Sequence, residues 1–314
     1  MQFVGIESVV FGTSDLPAAG KFFADWGLKT VKNGRSEKIF ATEIGSRVVV
    51  RAEGARGLAP PLSPAGGFRE VIWGVRGKRD LARIAKELAT DRELKIDRDG
   101  TIHTHDPNGI GIGFRVWPHR KRLSVKAAAF NTGRERARVD TPAPLYDEGA
   151  SPLGIGHVVF LAADIEAGEK FYRERLGFRL SDRYSGNRAV FLRCSAENEH
   201  HNLFFLNTNG AKTELQHVAF QVRDIHEMFG GGVRMKQLGY KTDVGPGRHP
   251  VSSAYFWYFE SPLGGAVEYY ADSDYATEAW KPRTFEGLRF SQWHVQDGVG
   301  PAVGGRVKEE RPAN

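Results

Sequence analysis

Three polar side chains stand inside otherwise apolar, strand-like runs of the second half of the chain: His157 in "GIGHVVFLA", His217 in "LQHVAF" and Glu268 in "GGAVEYY". An apolar residue would pack at such positions without the cost of burying a polar group. Two imidazoles and one carboxylate around one metal ion leave neighbouring coordination positions open, as in the Fe(II) sites that react with O₂. Because a single buried histidine more often only hydrogen-bonds the backbone, a metal site requires that the fold bring all three together.

An internal repeat indicates where these residues lie. Residues 7–28, "ESVVFGTSDLPAAGKFFADWGL", are matched by 156–178, "GHVVFLAADIEAGEKFYRERLGF", and both read as strand, aspartate, helix and glycine. The aspartates are expected to cap the helix N-termini, and the glycines to supply the left-handed residue that ends each helix. These residues are Asp15 and Asp164, followed by Gly27 and Gly177.

A second, weaker pair of repeats is formed by residues 70–88 and 217–239. Each is followed by a turn with Pro and Gly that opens a strand, at 106–116 and 261–271, and short runs of alternating polarity lie between the helices and the next unit. The sequence therefore predicts an α+β fold of four βαβββ modules. Since one module cannot bury a sheet face alone, we expect pairs of modules to form two half-open barrels with helices outside.

The first half serves as an internal control for the metal site. Aligning the repeats puts Ser8 opposite His157, Glu70 opposite His217 and Gly113 opposite Glu268. The first-half set cannot hold a metal ion, and three structural polar residues would have no reason to change together. We therefore predict one metal site, in the second half only.

Four regions follow from this pattern. They are a degenerate domain without a metal site at 1–118, a basic linker at 119–150, a catalytic metal-binding domain at 151–275, and a C-terminal extension at 276–314.

With these features the chain resembles the vicinal oxygen chelate superfamily and, within it, the type I extradiol ring-cleaving dioxygenases, such as the dihydroxybiphenyl and catechol 2,3-dioxygenases. The resemblance covers residues 3–275 and includes "EHHNLFF" and "GRHPVSSAYFWYFESPLGGAVEYY". In the second of these stretches the residues at the family's spacing are His249, Tyr258, Pro262, Gly264 and Glu268. The resemblance implies the vicinal oxygen chelate fold. It also implies extradiol (meta) cleavage of a catechol-type diol, with insertion of both atoms of O₂, through an Fe(II)-bound catecholate.

The resemblance also assigns roles to residues. His157, His217 and Glu268 become the ligands of Fe(II), with Mn(II) as the alternative metal. His201 becomes the catalytic proton donor and acceptor, since a catechol must lose protons on binding and reduced dioxygen needs a proton donor. The neighbouring His200 is expected to be a surface residue.

Substrate contacts are expected from four residues: His249 and Tyr258, which are also assigned to catalysis, and Val251 and Ser252. Many relatives carry Asn and Asp after the late histidine, whereas this chain has "PVS" at 250–252. This departure predicts a substrate other than the family's best-known one. The aromatic residues 255–257 indicate either a bulky or polycyclic catechol or ordinary core packing, so the choice among mono-, bi- and polycyclic catechols stays open.

Composition excludes several other classes of protein. The 314 residues are 40% hydrophobic and 26% charged, enough for two domains with their own cores. The net charge of +6 includes a basic segment at 119–138, but no nucleic-acid-binding motif accompanies it, so we expect a connector and no nucleic-acid partner. No signal-like segment or long apolar stretch is present, and we expect a cytoplasmic protein without a membrane partner. The single cysteine, Cys194, is expected to pack in a strand.

Three further segments lie outside the candidate metal site. The "HTH" at 103–105 has metal-like spacing but no carboxylate in register, and is predicted to be surface histidines. Residues 280–293 could form a lid, a subunit contact or packing on the barrel exterior, and the end of the chain, 305–314, is expected to be mobile. The family resemblance implies a homo-oligomer.

Two alternative functions are open: a metal-dependent isomerase or lyase of the same superfamily, which would need a further carboxylate ligand, and a non-catalytic small-molecule binding protein, whose relatives usually lack the three ligands.

Overall fold

The computed structural model describes residues 1–64, 66–117, 128–143 and 149–295, and these form the predicted α+β fold of four βαβββ modules. The first module consists of β1 (Phe3–Thr13), α1 (Leu16–Asp25), β2 (Lys29–Asn33), β3 (Glu37–Ala41) and β4 (Arg47–Ala52). The second consists of β5 (Phe68–Val75), α2 (Lys78–Leu88), β6 (Lys95–Ile96), β7 (Ile102–His105) and β8 (Gly111–Val116).

The second half repeats this order with additions. The third module consists of β9 (Gly154–Ala162), α3 (Ile165–Lys170) with a π-helical continuation (Phe171–Leu176), β10 (Arg179–Tyr184), β11 (Ala189–Arg193), β12 (Asn198–Glu199) and β13 (Leu203–Asn207). The fourth consists of β14 (Glu214–Gln221), α4 (Ile225–Gln237), β15 (Thr242–Arg248), β16 (Tyr255–Glu260) and β17 (Ala266–Ala271). Three short strands follow: β18 (Tyr275–Ala276), β19 (Arg283–Phe285) and β20 (Trp293–His294).

The predicted helix signals act as expected. The side chains of Asp15 and Asp164 accept hydrogen bonds from backbone N–H groups of the first turns of α1 and α3. Gly27 and Gly177 have φ angles of 87° and 84°, the left-handed conformation that only glycine adopts readily. Local sequence therefore sets where these helices begin and end.

Strand pairing makes the two halves equivalent. In every module the first strand pairs in parallel with the last, as β1–β4, β5–β8, β9–β13 and β14–β17. Modules join through the antiparallel pairs β1–β5 and β9–β14, giving one sheet of eight strands and one of ten. Each pair of modules thus shares one continuous sheet, as the repeats predict.

The register of these strands confirms the alignment of the two halves. In the second sheet, Ala219 on β14 pairs with His157 on one side and Glu268 on the other. In the first sheet, Ile72 on β5 pairs with Ser8 and Gly113. The positions that carry candidate ligands in one barrel are therefore occupied by serine and glycine in the other.

One hydrophobic core spans both halves. The indole of Trp26, just after α1, stacks on the ring of Tyr269 at 3.6 Å between centroids, and the Tyr269 hydroxyl donates to the Trp26 carbonyl at 2.7 Å. Trp73 of β5 packs edge-on against Phe178 at 5.0 Å. Because these large rings are fully buried, the first barrel supports the strands that carry the candidate ligands.

The C-terminal extension belongs in part to the second sheet. Strand β19 pairs with β10, and β20 pairs with β15, so residues 280–293 pack on the second barrel. Residues 119–127 and 144–148 of the predicted linker and the predicted mobile end of the chain lie outside the described residues. The boundaries at 118, 150 and 275 stay predictions.

None of the helices in the described ranges is both long enough and apolar enough to cross a membrane. The predicted cytoplasmic location and homo-oligomeric assembly stay predictions.

Candidate active site

The fold brings the three residues predicted as metal ligands together. The ligand atoms of His157 on β9, His217 on β14 and Glu268 on β17 lie within 4.8 Å of one another, and all three residues are buried. The Nε2 atoms of the two histidines lie 3.1 and 3.2 Å from Oε2 of the carboxylate. Within the described part of the chain, no other group of three His, Cys, Asp or Glu residues meets this spacing.

A β-bulge orients one of these histidines. The register between β14 and β9 shifts between Leu215 and His217, so that Gln216 and His217 both line the same cavity. Oε1 of Gln216 accepts a hydrogen bond from Nδ1 of His217, which leaves Nε2 as the unprotonated nitrogen of the neutral ring. Sequence reasoning did not identify Gln216, because strict alternation along the strand would turn it away from the site.

Buried atoms without partners test whether a metal ion fits. Nε2 of His217 and Oε1 of Glu268 make no hydrogen bond with any described residue. Buried acceptors without a donor are costly, and a cation between them would satisfy both. Two donor atoms about 2.1 Å from one ion and about 90° apart lie about 3.0 Å from each other, close to the separations found here. The donor set therefore fits a divalent metal ion.

The protonation states of His157 and Glu268 also favour metal binding. Burial lowers the pKa of His157, which favours the neutral ring. Burial also opposes ionisation of Glu268, but its contacts with three imidazoles outweigh this effect and hold the pKa of the carboxyl well below its usual range. Neutral imidazole and ionised carboxylate are the forms in which these groups bind metals.

His201, the predicted catalytic residue, lies beside this cluster. The prediction that its neighbour His200 is a surface residue is wrong. The ring centroid of His201 is 4.1 Å from that of His157. His200, expected at the surface, is fully buried, and its Nδ1 lies 3.1 Å from Nδ1 of His201. His200 is buried because the C-terminal extension covers it: Trp280 packs edge-on against the His200 ring at 5.6 Å. The first half of the chain has no counterpart of this extension, so the comparison of the two halves did not predict the burial.

A chain of hydrogen bonds fixes the tautomer of His201. Asp182 accepts from Nε2 of His200 at 3.0 Å and from the backbone N–H and the guanidinium of Arg283, each at 2.7 Å. Burial opposes ionisation of Asp182, but these contacts outweigh it and lower its pKa. Because His200 donates through Nε2, its Nδ1 accepts from Nδ1–H of His201. Nε2 of His201 is thereby left unprotonated.

Burial and the neighbouring imidazoles lower the pKa of His201 well below its usual value. The ring is therefore neutral at neutral pH and can act as a base at Nε2.

The two other predicted catalytic residues form a second hydrogen-bonded pair. Nδ1–H of His249 donates to the Phe290 carbonyl at 2.8 Å, so that in the neutral ring Nε2 accepts from the Tyr258 hydroxyl at 3.1 Å. Burial and the charge of Glu268 raise the pKa of Tyr258 well above its usual value, which keeps the hydroxyl protonated. Tyr258 is therefore a hydrogen-bond donor.

One cavity of about 170 Å³ is lined by His157, His201, His217, His249 and Tyr258, while Glu268 contacts two of these histidines without being part of the lining. The predicted substrate residues Val251 and Ser252 line the cavity, together with apolar side chains of the third module and the C-terminal extension. These are Tyr184, Phe191, Phe204, Leu206, Leu288 and Phe290. Residues 255–257 do not line the cavity, so of the two alternatives left open for this cluster the structure favours packing. Phe256 stacks on His249, and Trp257 packs against Phe259.

Two smaller predictions are also decided by the structure. His105 is exposed as predicted, whereas His103 is half-buried, with Nδ1 2.8 Å from Oε1 of Glu70. Cys194 is buried in the core as expected.

Comparison with known proteins supports one family. Residues 154–269 match the family model of the Glyoxalase/Bleomycin resistance protein/Dioxygenase superfamily. The chain is 28% identical to metapyrocatechase 2 of Cupriavidus necator over 283 residues, covering 89% of this chain and 85% of that protein. It is 30% identical to 2,2',3-trihydroxybiphenyl dioxygenase of Sphingomonas paucimobilis over 241 residues, covering 71% of this chain and 76% of that protein.

Solved structures establish the fold. A halotolerant catechol dioxygenase, BphC, has a TM-score of 0.72 at 20% identity, with 98% of this chain and 99% of that chain covered. The Mn(II)-bound glyoxalase of Novosphingobium aromaticivorans has the same TM-score at 19% identity, covering 96% and 93%. Since a dioxygenase and a glyoxalase fit equally well, the fold does not choose between activities, whereas the two sequence relatives above are named a metapyrocatechase and a dioxygenase. The chain belongs to the extradiol dioxygenases of the Glyoxalase/Bleomycin resistance protein/Dioxygenase superfamily.

Proposed function

We propose that this protein is an Fe(II)-dependent extradiol dioxygenase, which cleaves the ring of a catechol next to its hydroxyl groups and inserts both atoms of O₂. The observation that carries the proposal is a buried two-histidine, one-glutamate cluster whose histidines line an apolar cavity together with His201, which has an unprotonated Nε2, and Tyr258, which has a hydroxyl donor. His157, His217 and Glu268 would hold the iron, which would supply open coordination positions and electron transfer between the diol and O₂.

The chain's own residues handle the protons. Nε2 of His201 accepts a proton from a catechol hydroxyl as the diol binds, and the buried imidazolium returns that proton to an oxygen of the ring-opened product. Tyr258, turning its hydroxyl from His249 to the substrate, donates a hydrogen bond to the second catechol oxygen. The apolar walls exclude water, which strengthens these electrostatic interactions.

Oxygen uptake after anaerobic reconstitution tests the proposal. The Fe(II)-loaded protein is expected to consume one O₂ per catechol and to form a yellow ring-opened product, while chelated protein and protein loaded with Mn(II) serve as comparisons. Rates with Mn(II) above those with Fe(II) would reassign the metal. Conversion of substrate without O₂ consumption would favour the isomerase alternative, although the described lining of the cavity adds no carboxylate to Glu268.

The cavity walls also select the substrate. The volume of about 170 Å³ is below the roughly 300–1,000 Å³ of typical ligand sites. The described lining contains apolar side chains but no lysine or arginine. We therefore propose a neutral, single-ring catechol with a small apolar substituent.

A carboxylated catechol is expected to be a poor substrate, because its charge would be buried without a partner. We expect kcat/KM for 3-methylcatechol to exceed that for 3,4-dihydroxyphenylacetate by at least about tenfold. The methyl ester of the same acid, which is uncharged, is the matched control and should recover much of the difference. Equal kcat/KM for the acid and its ester would contradict this substrate class.

Asp182 is a positioning residue for His201, and Asp182→Asn tests this role. The groups facing this side chain are all donors, so asparagine must turn its NH₂ group toward one of them. Only His200 can become an acceptor, by moving its proton to Nδ1, which would then put the His201 proton on Nε2. We expect kcat to fall roughly tenfold or more with KM changed far less.

The measurement is steady-state kinetics with iron content and a thermal melt for each variant. Asp91→Asn, which breaks a partly exposed ion pair between Asp91 of the first half and Arg175 of the second half, is the control and should leave kcat unchanged. His200→Phe keeps the buried ring and removes both hydrogen bonds, and should reproduce the loss of kcat. A wild-type kcat in both Asp182→Asn and His200→Phe would rule out the positioning role.

A further inference from the structure

The first barrel, which has no candidate metal site within the described residues, encloses a cavity of its own of about 750 Å³. It occupies the place that the active-site cavity has in the second barrel. Ser8 and Gly113 stand where the second barrel has His157 and Glu268, so the residues at these positions are smaller here. A volume of this size is typical of small-molecule sites.

Arg69 lines this cavity and forms no ion pair with a described residue, although the charge of Glu53 acts on it and raises its pKa. The residue is only 6% exposed, and its Nε and Nη1 atoms are buried without a hydrogen bond to any described residue. Burial outweighs this effect and lowers the pKa of Arg69, yet a guanidinium remains charged at neutral pH. A buried charge without an ion-pair partner destabilises a protein, so an arginine in this state would be stabilised by a bound anion.

A β-bulge in β5 directs the side chain of Arg69 into the cavity. The register between β1 and β5 shifts so that Val10 pairs with Glu70 and Phe11 with Phe68, which makes Arg69 the bulged residue. The bulged residue of the second barrel is Gln216, which lines the active-site cavity. The two bulges thus occupy equivalent positions, and each directs a polar side chain into its barrel.

A glycine makes room for the guanidinium. A methyl group at Gly12 would lie 2.6 Å from Nη2 and 2.7 Å from Nε of Arg69, and 2.8 Å from Cδ2 of Leu58. The planar group therefore lies against bare backbone on the cavity wall. In this setting its fork of N–H donors is held in place for an oxyanion.

The carboxylates of the cavity do not neutralise Arg69. Four of the five lie within 4 Å of other basic groups: Glu37, Glu70, Asp97 and Asp99 are paired with lysine, arginine or histidine side chains. The fifth, Glu93, is exposed. A second cation, Arg47 on β4, also faces the cavity and makes no ion pair with the described residues, so two guanidinium groups of the lining are without an ion-pair partner.

We propose that the first barrel binds a small organic anion, with its carboxylate or phosphate group on Arg69 and its apolar part against the aliphatic wall. This wall is formed by Val10, Ile39, Val49, Leu58 and Ile72. The site is separate from the proposed catalytic centre and does not depend on it.

Calorimetric titration of the iron-loaded, full-length protein tests this site, with benzoate, phenyl phosphate and inorganic phosphate as probes. Arg69→Met is expected to weaken binding of the organic anion by at least about tenfold, since a charged hydrogen bond is lost. Arg79→Met makes the same change of charge on the exposed face of α2 and should leave binding within about twofold. The tighter of the two organic probes identifies the group that Arg69 binds.

Thermal melts without any anion separate this role from a structural one. Replacing an unpaired buried charge with a side chain of similar length should leave Tm unchanged or raise it. A lowered Tm in Arg69→Met, unchanged anion binding in that variant, or no binding of either organic probe at millimolar concentrations would overturn the proposal. Inorganic phosphate bound as tightly as phenyl phosphate would overturn the organic class of the ligand.

Discussion

Replacing Glu268 with glutamine is expected to weaken iron binding by more than about 100-fold and to abolish catechol-dependent O₂ uptake. Partners that merely hydrogen-bond a metal ligand are typically worth about 10–100-fold in affinity, so a ligand itself should be worth more. The physical reason is charge. Imidazoles bind metals in their neutral form, so the carboxylate supplies the one negative charge that would face a buried divalent ion. Glutamine keeps the shape and size of the side chain but leaves that ion uncompensated.

Iron content per chain and O₂ consumption measure this effect together. The matched control is Glu70→Gln, the same substitution at the position of the first barrel that corresponds to His217. It should alter neither iron content nor O₂ uptake, because only the second barrel is proposed to hold metal. Full iron occupancy in Glu268→Gln, or loss of iron in Glu70→Gln with an unchanged Tm, would contradict the assignment of the ligands.

The metal ligands could be predicted from the sequence because the two halves of the chain are repeats that can be compared residue by residue. His157, His217 and Glu268 interrupt apolar strands, and their counterparts in the first half are residues that cannot bind a metal. The strand register bears out that alignment position by position. Helix ends followed from Asp and Gly signals that act within a few residues.

What the sequence did not reveal depends on contacts between distant segments. Arg283 in the C-terminal extension holds Asp182, and Asp182 holds His200, across about a hundred residues of chain. No local pattern in "RLSDRY" marks its aspartate as buried. Similarly, a β-bulge puts Gln216 and His217 on the same side of a strand, and no periodicity of two can predict that arrangement. Features marked by local signals or by a contrast between the two halves were predictable, and those that depend on a bulge or on a distant segment were not.

Replacing His201 with phenylalanine is expected to lower kcat by about 10²–10⁴-fold while iron content stays at the wild-type level. The ring of His201 is surrounded by Phe191 and Phe204, at 5.2 and 6.0 Å between centroids, so a phenyl group fits the site without leaving a hole. What disappears is the unprotonated Nε2, the only group proposed to accept the catechol proton. Since the substrate's apolar contacts remain, KM should change far less than kcat.

Two further variants separate proton transfer from packing. His201→Ala opens space beside His157, and added imidazole should restore part of its kcat, whereas the filled site of His201→Phe should not respond. His105→Phe, at an exposed position of the first barrel, is the control and should keep the wild-type rate. Substitution of His201 also leaves Nδ1 of buried His200 without its donor, at a cost of about 1–3 kcal/mol in stability, so each rate is measured below the melting transition of its variant. If His201→Phe turned over within a few-fold of wild type, or lost its iron in proportion to its activity, then His201 would be a structural neighbour of the metal ligands and another group would have to take the proton.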